Sequence, residues 1–198
     1  MGLKLLYIYC QTPIDEDEKE GLRITTISTR KELDEFEQNN IEKAIEWSLI
    51  RKYHYQDILT IGFVKLVHRK MFGEVWEWAG FFRKSNKNIG VDKSNIQAYL
   101  SALNDDCKFW IENKTYGPDE VAMRYKHRLV SIHPFPNGNG RHARLCADII
   151  ISHVFRKPVF SWGGETLTNP GESRRKYIES IHEADNGNIK PLIDFARS

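Results

Sequence analysis

His133-Pro134-Phe135-Pro136-Asn137-Gly138-Asn139-Gly140-Arg141-His142-Ala143-Arg144 joins two helical patterns. Upstream, from Asp119, the apolar positions Val121, Ala122, Tyr125, Leu129 and Ile132 recur at the helical period and carry the chain to His133. Pro134 and Pro136 forbid continuation of that helix, and Gly138 and Gly140 permit backbone conformations that other residues resist. A second helix is predicted over Arg141–Phe155. Its apolar residues lie nearly all round, which makes it central and buried.

The junction has the parts of a phosphate site. Two glycines flanking Asn139 at the mouth of a helix let backbone N–H groups converge on one point, with the positive end of the helix dipole behind them. Arg141 and Arg144, three apart on the emerging helix, lie on neighbouring surface and present guanidinium groups suited to polyphosphate oxygens. His133 precedes the cradle, and an imidazole of ordinary pKa accepts a hydroxyl proton at neutral pH. Phe135, between polar neighbours, reads as an apolar plug that anchors the loop to the core. Singly, each feature has a plain structural explanation: a histidine capping a helix, a tight Gly-Asn-Gly turn, a solvated pair of arginines. Together they supply what attack of a hydroxyl on a bound phosphoryl group requires, because such catalysis is mainly positioning and charge stabilisation.

Outward from the motif the chain reads as mainly helical. Thr29-Arg30-Lys31-Glu32 fits a capping box ahead of a helix with Leu33, Phe36, Ala44, Ile45 and Leu49 at roughly helical spacing. A second helix is expected from Asp57 to Met71, with Leu59, Phe63, Leu66 and Val67 on one side. Helical periodicity is then lost from Trp76 to Val91, where Lys84, Ser85, Asn86, Lys87, Asn88, Ile89 and Gly90 read as a short β-hairpin or extended flap. Ser94-Asn95-Ile96-Gln97 is a second capping-box pattern, leading a helix with Ile96, Leu100, Leu103, Cys107 and Trp110. After the irregular Ser161-Trp162-Gly163-Gly164, helices are expected over Gly171–His182 and Pro191–Arg197. Residues 1–30 are expected to form an N-terminal arm, with 1–10 a short apolar strand or a packed arm and Asp15–Glu20 a solvated acidic run, and 31–198 to form one domain.

Composition narrows the function classes. The 198 residues are 40% hydrophobic and 28% charged, ordinary for a soluble globular chain, and no stretch has transmembrane length. A formal net charge of +2, from 29 basic and 27 acidic residues, is too even for a dedicated nucleic-acid binder. Cys10, Cys107 and Cys146 are odd in number and widely spaced, against a disulfide framework or zinc site and in favour of a reducing cytoplasm. His54, His68, His127, His142, His153 and His182 lack metal spacing and are assigned structural roles, and Cys146 is assigned to the core.

The motif resembles the signature of the Fic family: His, any residue, Phe, any residue, Asp or Glu, Gly, Asn, Gly, Arg, any two residues, Arg. His133, Phe135, Gly138, Asn139, Gly140, Arg141 and Arg144 meet every fixed position except the acidic one. Leu66–Gly73, Trp78-Ala79-Gly80 and Arg83 resemble the helix-to-flap passage of the family. Thr12–Asp15, Lys87–Val91 and the tail from Trp162-Gly163-Gly164 to Ala184-Asp185 resemble the bacterial subgroup called mobile mystery protein B.

The resemblance implies a Fic-like helical bundle with a β-hairpin flap, in which His133 is the base, Gly138-Asn139-Gly140 the anion hole, and Arg141 and Arg144 the phosphate ligands. Residues 84–90 align the target, and AMP passes from ATP to a Ser, Thr or Tyr hydroxyl of another protein. Transfer of the terminal phosphate, as in the Doc branch, and a binding module whose catalysis has faded are the alternatives. Asn137 stands where active members carry an acidic Mg²⁺ ligand, which leaves it a weak metal ligand and puts Mg²⁺ chiefly on the nucleotide. Members restrained from within carry Ser or Thr, three residues, Glu, then Gly or Asn. Ser28–Glu32 and Thr12–Glu16 lack the final residue, so a separate antitoxin-like protein is the expected restraint. The setting implied is a toxin-like cytoplasmic component, or one delivered to another cell, without nucleic-acid or membrane partners.

Overall fold

The computed structural model describes residues 19–164 and 171–198. The readings placed on residues 1–18, namely the apolar strand, Cys10, Thr12–Glu16 and most of the acidic run, lie outside them. Helix α1 (Arg30–Ile50) starts with the expected capping box: Thr29 Oγ1 accepts from Glu32 N at 3.2 Å, and the Glu32 carboxylate accepts from Thr29 N at 2.9 Å. Its inner face differs from the expected stripe. Leu33, Glu37, Asn40, Ile41, Ala44 and Ser48 are buried, whereas Phe36, Ile45 and Leu49 are exposed. The helix packs on α3 through polar as well as apolar groups, so apolar spacing alone picked its flanks.

The helix expected over 57–71 is two. A single turn, α2 (Tyr55–Ile58), is followed by α3 (Ile61–Phe72), because Thr60 turns extended and its hydroxyl caps Phe63 N at 3.1 Å. The capping box expected at Ser94 does not form. Asp92 takes that place, accepting from Ser94 N at 2.9 Å and Ser94 Oγ at 2.6 Å, and a 3₁₀ turn at Lys93–Asn95 feeds α4 (Ile96–Glu112). Helix α5 (Pro118–Ile132) opens with Pro118, Asp119 and Glu120, suited to a helix amino terminus. Helix α6 (Asn139–Ile149) runs on through a π-helical turn, Ile150–Val154, and packs against both α5 and α3. Helices α7 (Glu172–Asp185) and α8 (Lys190–Arg197) pack on each other, and Arg197 clamps α8 to α5 by two hydrogen bonds to Asp119, at 2.7 and 3.0 Å.

The expected β-hairpin is absent. Among the described residues no strand forms, and strand-type pairing is limited to one isolated antiparallel bridge, Leu22–Trp76. The loop at 80–93 is instead built around the buried side chain of Arg83, which donates to the carbonyls of Ser85 (2.8 Å) and Val91 and to Asn86 Oδ1 (3.4 Å). The guanidinium fills the space where cross-strand backbone bonds would run, and Asn86 and Lys93 add further side-chain bonds to Asp92 and to the Lys84 carbonyl. No helix among the described residues is long and apolar enough to cross a membrane.

Candidate active site

Helix α5 ends at His133, which adopts the left-handed conformation (φ 54°) and turns the chain into the loop 134–138. Arg83 Nε donates to the His133 carbonyl at 2.7 Å, and Arg83 N to the Pro134 carbonyl at 3.0 Å. The loop above passes so close that a Cβ on Gly90 (φ 97°) would stand 2.6 Å from His133 Cβ. His133 is 4% exposed. Burial, followed by the Arg83 charge, pushes its pKa down to about 4; the Val130 carbonyl opposes the shift and Lys87 adds to it. The ring is therefore neutral at pH 7.

Phe135 is fully buried, stacked on His68 at 3.7 Å between centroids and edge-on to His142 at 5.1 Å. Gly80 N–H donates to His68 Nδ1 at 3.0 Å, so His68 carries its proton on Nε2 and donates it to the Asn137 carbonyl at 3.1 Å. One buried imidazole thus ties the start of the 80–93 loop to the motif loop. His142 is satisfied in the same way, against the Val64 carbonyl at 3.0 Å.

Asn139 uses its side chain on the loop itself: Oδ1 accepts from Phe135 N at 3.0 Å and Nδ2 donates to Phe135 O at 2.8 Å. What it offers a ligand is its backbone N–H. Gly138, the residue before α6, has φ 75°, and a Cβ there would lie 2.5 Å from the Phe72 ring, so a larger residue is excluded twice over. Over Gly140 the situation is reversed, with no protein atom within 4 Å of a Cβ position. The first N–H groups of α6 have no acceptor inside the helix, as at any helix amino terminus.

The two motif arginines are held by different elements. Arg141 donates to Glu37 of α1 at 2.6 Å and lies over the Phe72 ring at 4.9 Å, while Glu37, 2% exposed, also accepts from Trp76 Nε1 at 2.6 Å. The Glu37 carboxylate thus neutralises Arg141 from below. Arg144 makes no ion pair with a carboxylate among the described residues and stands 5.6 Å over the Tyr177 ring of α7. On the same ring, at 4.6 Å, lies Lys126 Nζ, fully buried with no acceptor in hydrogen-bonding geometry; burial lowers its pKa, with Tyr177 opposing. Lys126→Met is therefore expected to stabilise the fold by about 1–2 kcal/mol, since loss of an uncompensated buried cation outweighs one cation–π contact. Urea unfolding at pH 7 checks this, and the gain should shrink as pH rises towards the ordinary lysine range.

For Mg²⁺ the motif offers the neutral amide oxygen of Asn137 in place of a carboxylate. The amide oxygen of Asn137 already accepts from Gly138 N at 2.7 Å, and no group of three His, Cys, Asp or Glu side chains among the described residues is arranged to hold a metal. Ser28–Glu32, the nearest fit to an internal restraint, is spent on capping α1, with the Glu32 carboxylate on Ser28 N and Thr29 N at 2.9 Å. Glu37, Lys126 and Tyr177 escaped the sequence reading, which placed Arg83 in the helix-to-flap passage without its hydrogen bonds. The signal for Glu37 was its place among Leu33, Ile41 and Ala44 on one helical face, where a carboxylate needs a partner.

The described residues form a helical domain whose central helix begins at a left-handed glycine, with a histidine at the end of the preceding helix. Residues 58–151 match the family described as the Fic/DOC family, and the chain carries a Fic/DOC domain there. Two curated relatives are protein adenylyltransferase Fic from Aedes aegypti, 28% identical over 157 residues, and from Nematostella vectensis, 28% identical over 161. Each alignment covers 77% of this chain, but only 29% and 34% of the relatives, so the chain spans about a third of their length. Among solved structures, Fic-1 (residues 134–508) from Caenorhabditis elegans superposes with a TM-score of 0.67 at 24% identity, over 90% of this chain and 51% of that one. The Bartonella tribocorum effector BepC with bound AMPPNP gives 0.65 at 18%, over 92% and 97%. Both likenesses are of fold.

Proposed function

We propose that the protein is an adenylyltransferase that moves AMP from ATP to a Ser, Thr or Tyr hydroxyl of a target protein. One observation carries the reading: α6 opens directly after the left-handed Gly138 with nothing packed against the Cβ position of Gly140, Arg144 on the same helix has no carboxylate ion pair among the described residues, and His133, neutral at pH 7, ends the preceding helix. The adenylyltransferase relatives and the AMPPNP in BepC support an adenine nucleotide. The N–H groups of Asn139, Gly140 and Arg141 receive phosphate oxygens, and Arg144 supplies the cation. The target oxygen bonds to the α-phosphorus, the bond from that phosphorus to the β-bridging oxygen breaks, pyrophosphate departs, and His133 takes the hydroxyl proton. Arg141 contributes its N–H and, through Glu37, fixes α6 on α1. ATP enters with Mg²⁺ on its own phosphates, as part of the substrate.

The mobile mystery protein B assignment, a toxin-like role, a separate inhibitory protein and a cytoplasmic setting belong to the same reading. The free, buried Cys107 and Cys146 agree with a reducing compartment. The test uses a cell lysate with ATP labelled on either the α- or the γ-phosphate. Transfer of α-label alone is expected; transfer of γ-label alone would replace the reading with a Doc-like phosphotransferase. Asn137→Asp is expected to raise α-label transfer about tenfold by returning a carboxylate to the loop. Label transfer by that variant with none by the wild type would favour a binding module whose catalysis has been lost, the reading that the engaged Asn137 amide supports.

A further inference from the structure

Resting on that reading, we infer that the target hydroxyl lies in an acidic segment with a neighbouring apolar side chain, recognised by the basic loop over His133. The loop at 80–93 is stitched to the chain on both sides of His133: Arg83 N to Pro134 O at 3.0 Å, Arg83 Nε to His133 O at 2.7 Å, and Val91 N to Ile132 O at 3.3 Å. With Gly90 lying on His133, any hydroxyl reaching this imidazole passes along the loop.

The charge there is one-sided. In residues 80–93 the cations that reach the surface are Lys84, Lys93 and the half-buried Lys87, since Arg83 is buried and spent on loop carbonyls, and the carboxylate of that segment is Asp92, in a chain whose formal net charge is only +2. Asp92 is consumed internally by Asn86 Nδ2 at 2.7 Å, Ser94 N and Ser94 Oγ. Lys84 and Lys93 are exposed, with the Lys93 ammonium arched onto the Lys84 carbonyl at 2.8 Å. Lys87 is near enough to His133 to depress its pKa. Beside them Phe81 is 55% and Ile89 49% exposed, and Arg69 of α3 stands 5.6 Å over the Phe81 ring. A cationic rim around exposed apolar side chains complements a segment that pairs Asp or Glu with an aromatic or aliphatic residue, and such complementarity sets specificity and encounter rate. Because no strand edge is offered among the described residues, side-chain charge replaces backbone pairing as the source of selectivity.

The experiment uses fluorescent synthetic peptides with a central Ser, Thr or Tyr next to Phe, flanked by Glu, Gln or Lys. Binding is read by polarisation at low and high salt, and α-label transfer is read separately. The Glu-flanked peptides should bind about tenfold tighter than the Gln set at low salt, and the advantage should collapse at high salt. The triple variant Lys84→Glu, Lys87→Glu, Lys93→Glu should invert the preference towards the Lys-flanked set, a gain that mere misfolding cannot produce. Equal binding by all three sets, or a folded triple variant without inversion, overturns the inference. So does a single-stranded DNA oligonucleotide of matched charge that binds as tightly as the acidic peptides. Label transfer without flank preference sinks the inference alone. Acidic preference in binding, with no label on any peptide or lysate protein, upholds the docking surface and sinks the adenylyltransferase reading.

Discussion

His133→Ala is expected to lower α-label transfer by about 10²–10⁴-fold while nucleotide affinity stays within about twofold, because in the proposed reaction the imidazole acts on the hydroxyl and the phosphates are held by α6 and Arg144. The pH profile gives the sharper test. With the free ring's pKa at about 4, kcat/KM should stay level from pH 7 to about 5 and fall only near 4. Bound polyphosphate brings negative charge close to the ring and raises its pKa, so the acid limb of kcat should lie above that of kcat/KM. A kcat/KM limb at about 6.5 would show the ring solvated in the working enzyme and sink the burial account. Stability follows the same sign. Because the folded-state pKa of His133 lies below the unfolded value, the unfolded chain binds the proton more readily. Stability is then full above about pH 6.5 and is lost as pH falls towards 4. His142, also pushed down to about 4 by burial, and His68, lowered mainly by burial, act in the same window. Urea midpoints at pH 7 and 4.5 should therefore differ less in His133→Ala than in the wild type.

The helical class, the capping box at Thr29 and the junction at 133–144 were legible because each rests on local chemistry: a hydroxyl and a carboxylate three residues apart, prolines that cannot continue a helix, glycines that open one. Errors arose where long-range contacts decide. The 84–91 segment has the Asn and Gly content of a hairpin, but Arg83 spends its guanidinium on the Ser85 and Val91 carbonyls, and nothing local announces that. Phe36, Ile45 and Leu49 look like a core stripe, yet α1 buries Glu37, Asn40 and Ser48 because their partners, Arg141 with Trp76, the backbone of Lys70 and Glu74, and the His153 ring on the Ser48 carbonyl, come from the assembled fold. Within the motif, residue types suggested a chemistry but not how the side chains are allocated. The sequence made Arg141 and Arg144 equivalent, and only the packing of α1 and α7 gives one a carboxylate and the other an aromatic face.

That allocation makes Glu37 the most sensitive position outside the motif. Its carboxylate is the partner of two groups, the Arg141 guanidinium, whose side chain is 23% exposed, and the indole N–H of the fully buried Trp76, both at 2.6 Å. Glu37→Ala strands a cation and a donor together. The expected loss is about 3–5 kcal/mol, the usual cost of breaking a buried pair from one side, or a fall in Tm on the order of 10 °C for a chain of this size. Glu37→Gln retains an acceptor for Trp76 and forfeits the charge, so its loss should fall between alanine and wild type. The decisive comparison is the double variant Glu37→Ala, Arg141→Met. Removing the guanidinium removes the stranded charge, and Met fills part of the space over Phe72, so the double variant should recover at least about 1–2 kcal/mol relative to Glu37→Ala alone. Additive losses in urea unfolding would mean that the two side chains do not act as a pair and that α6 is fixed to α1 by apolar packing alone.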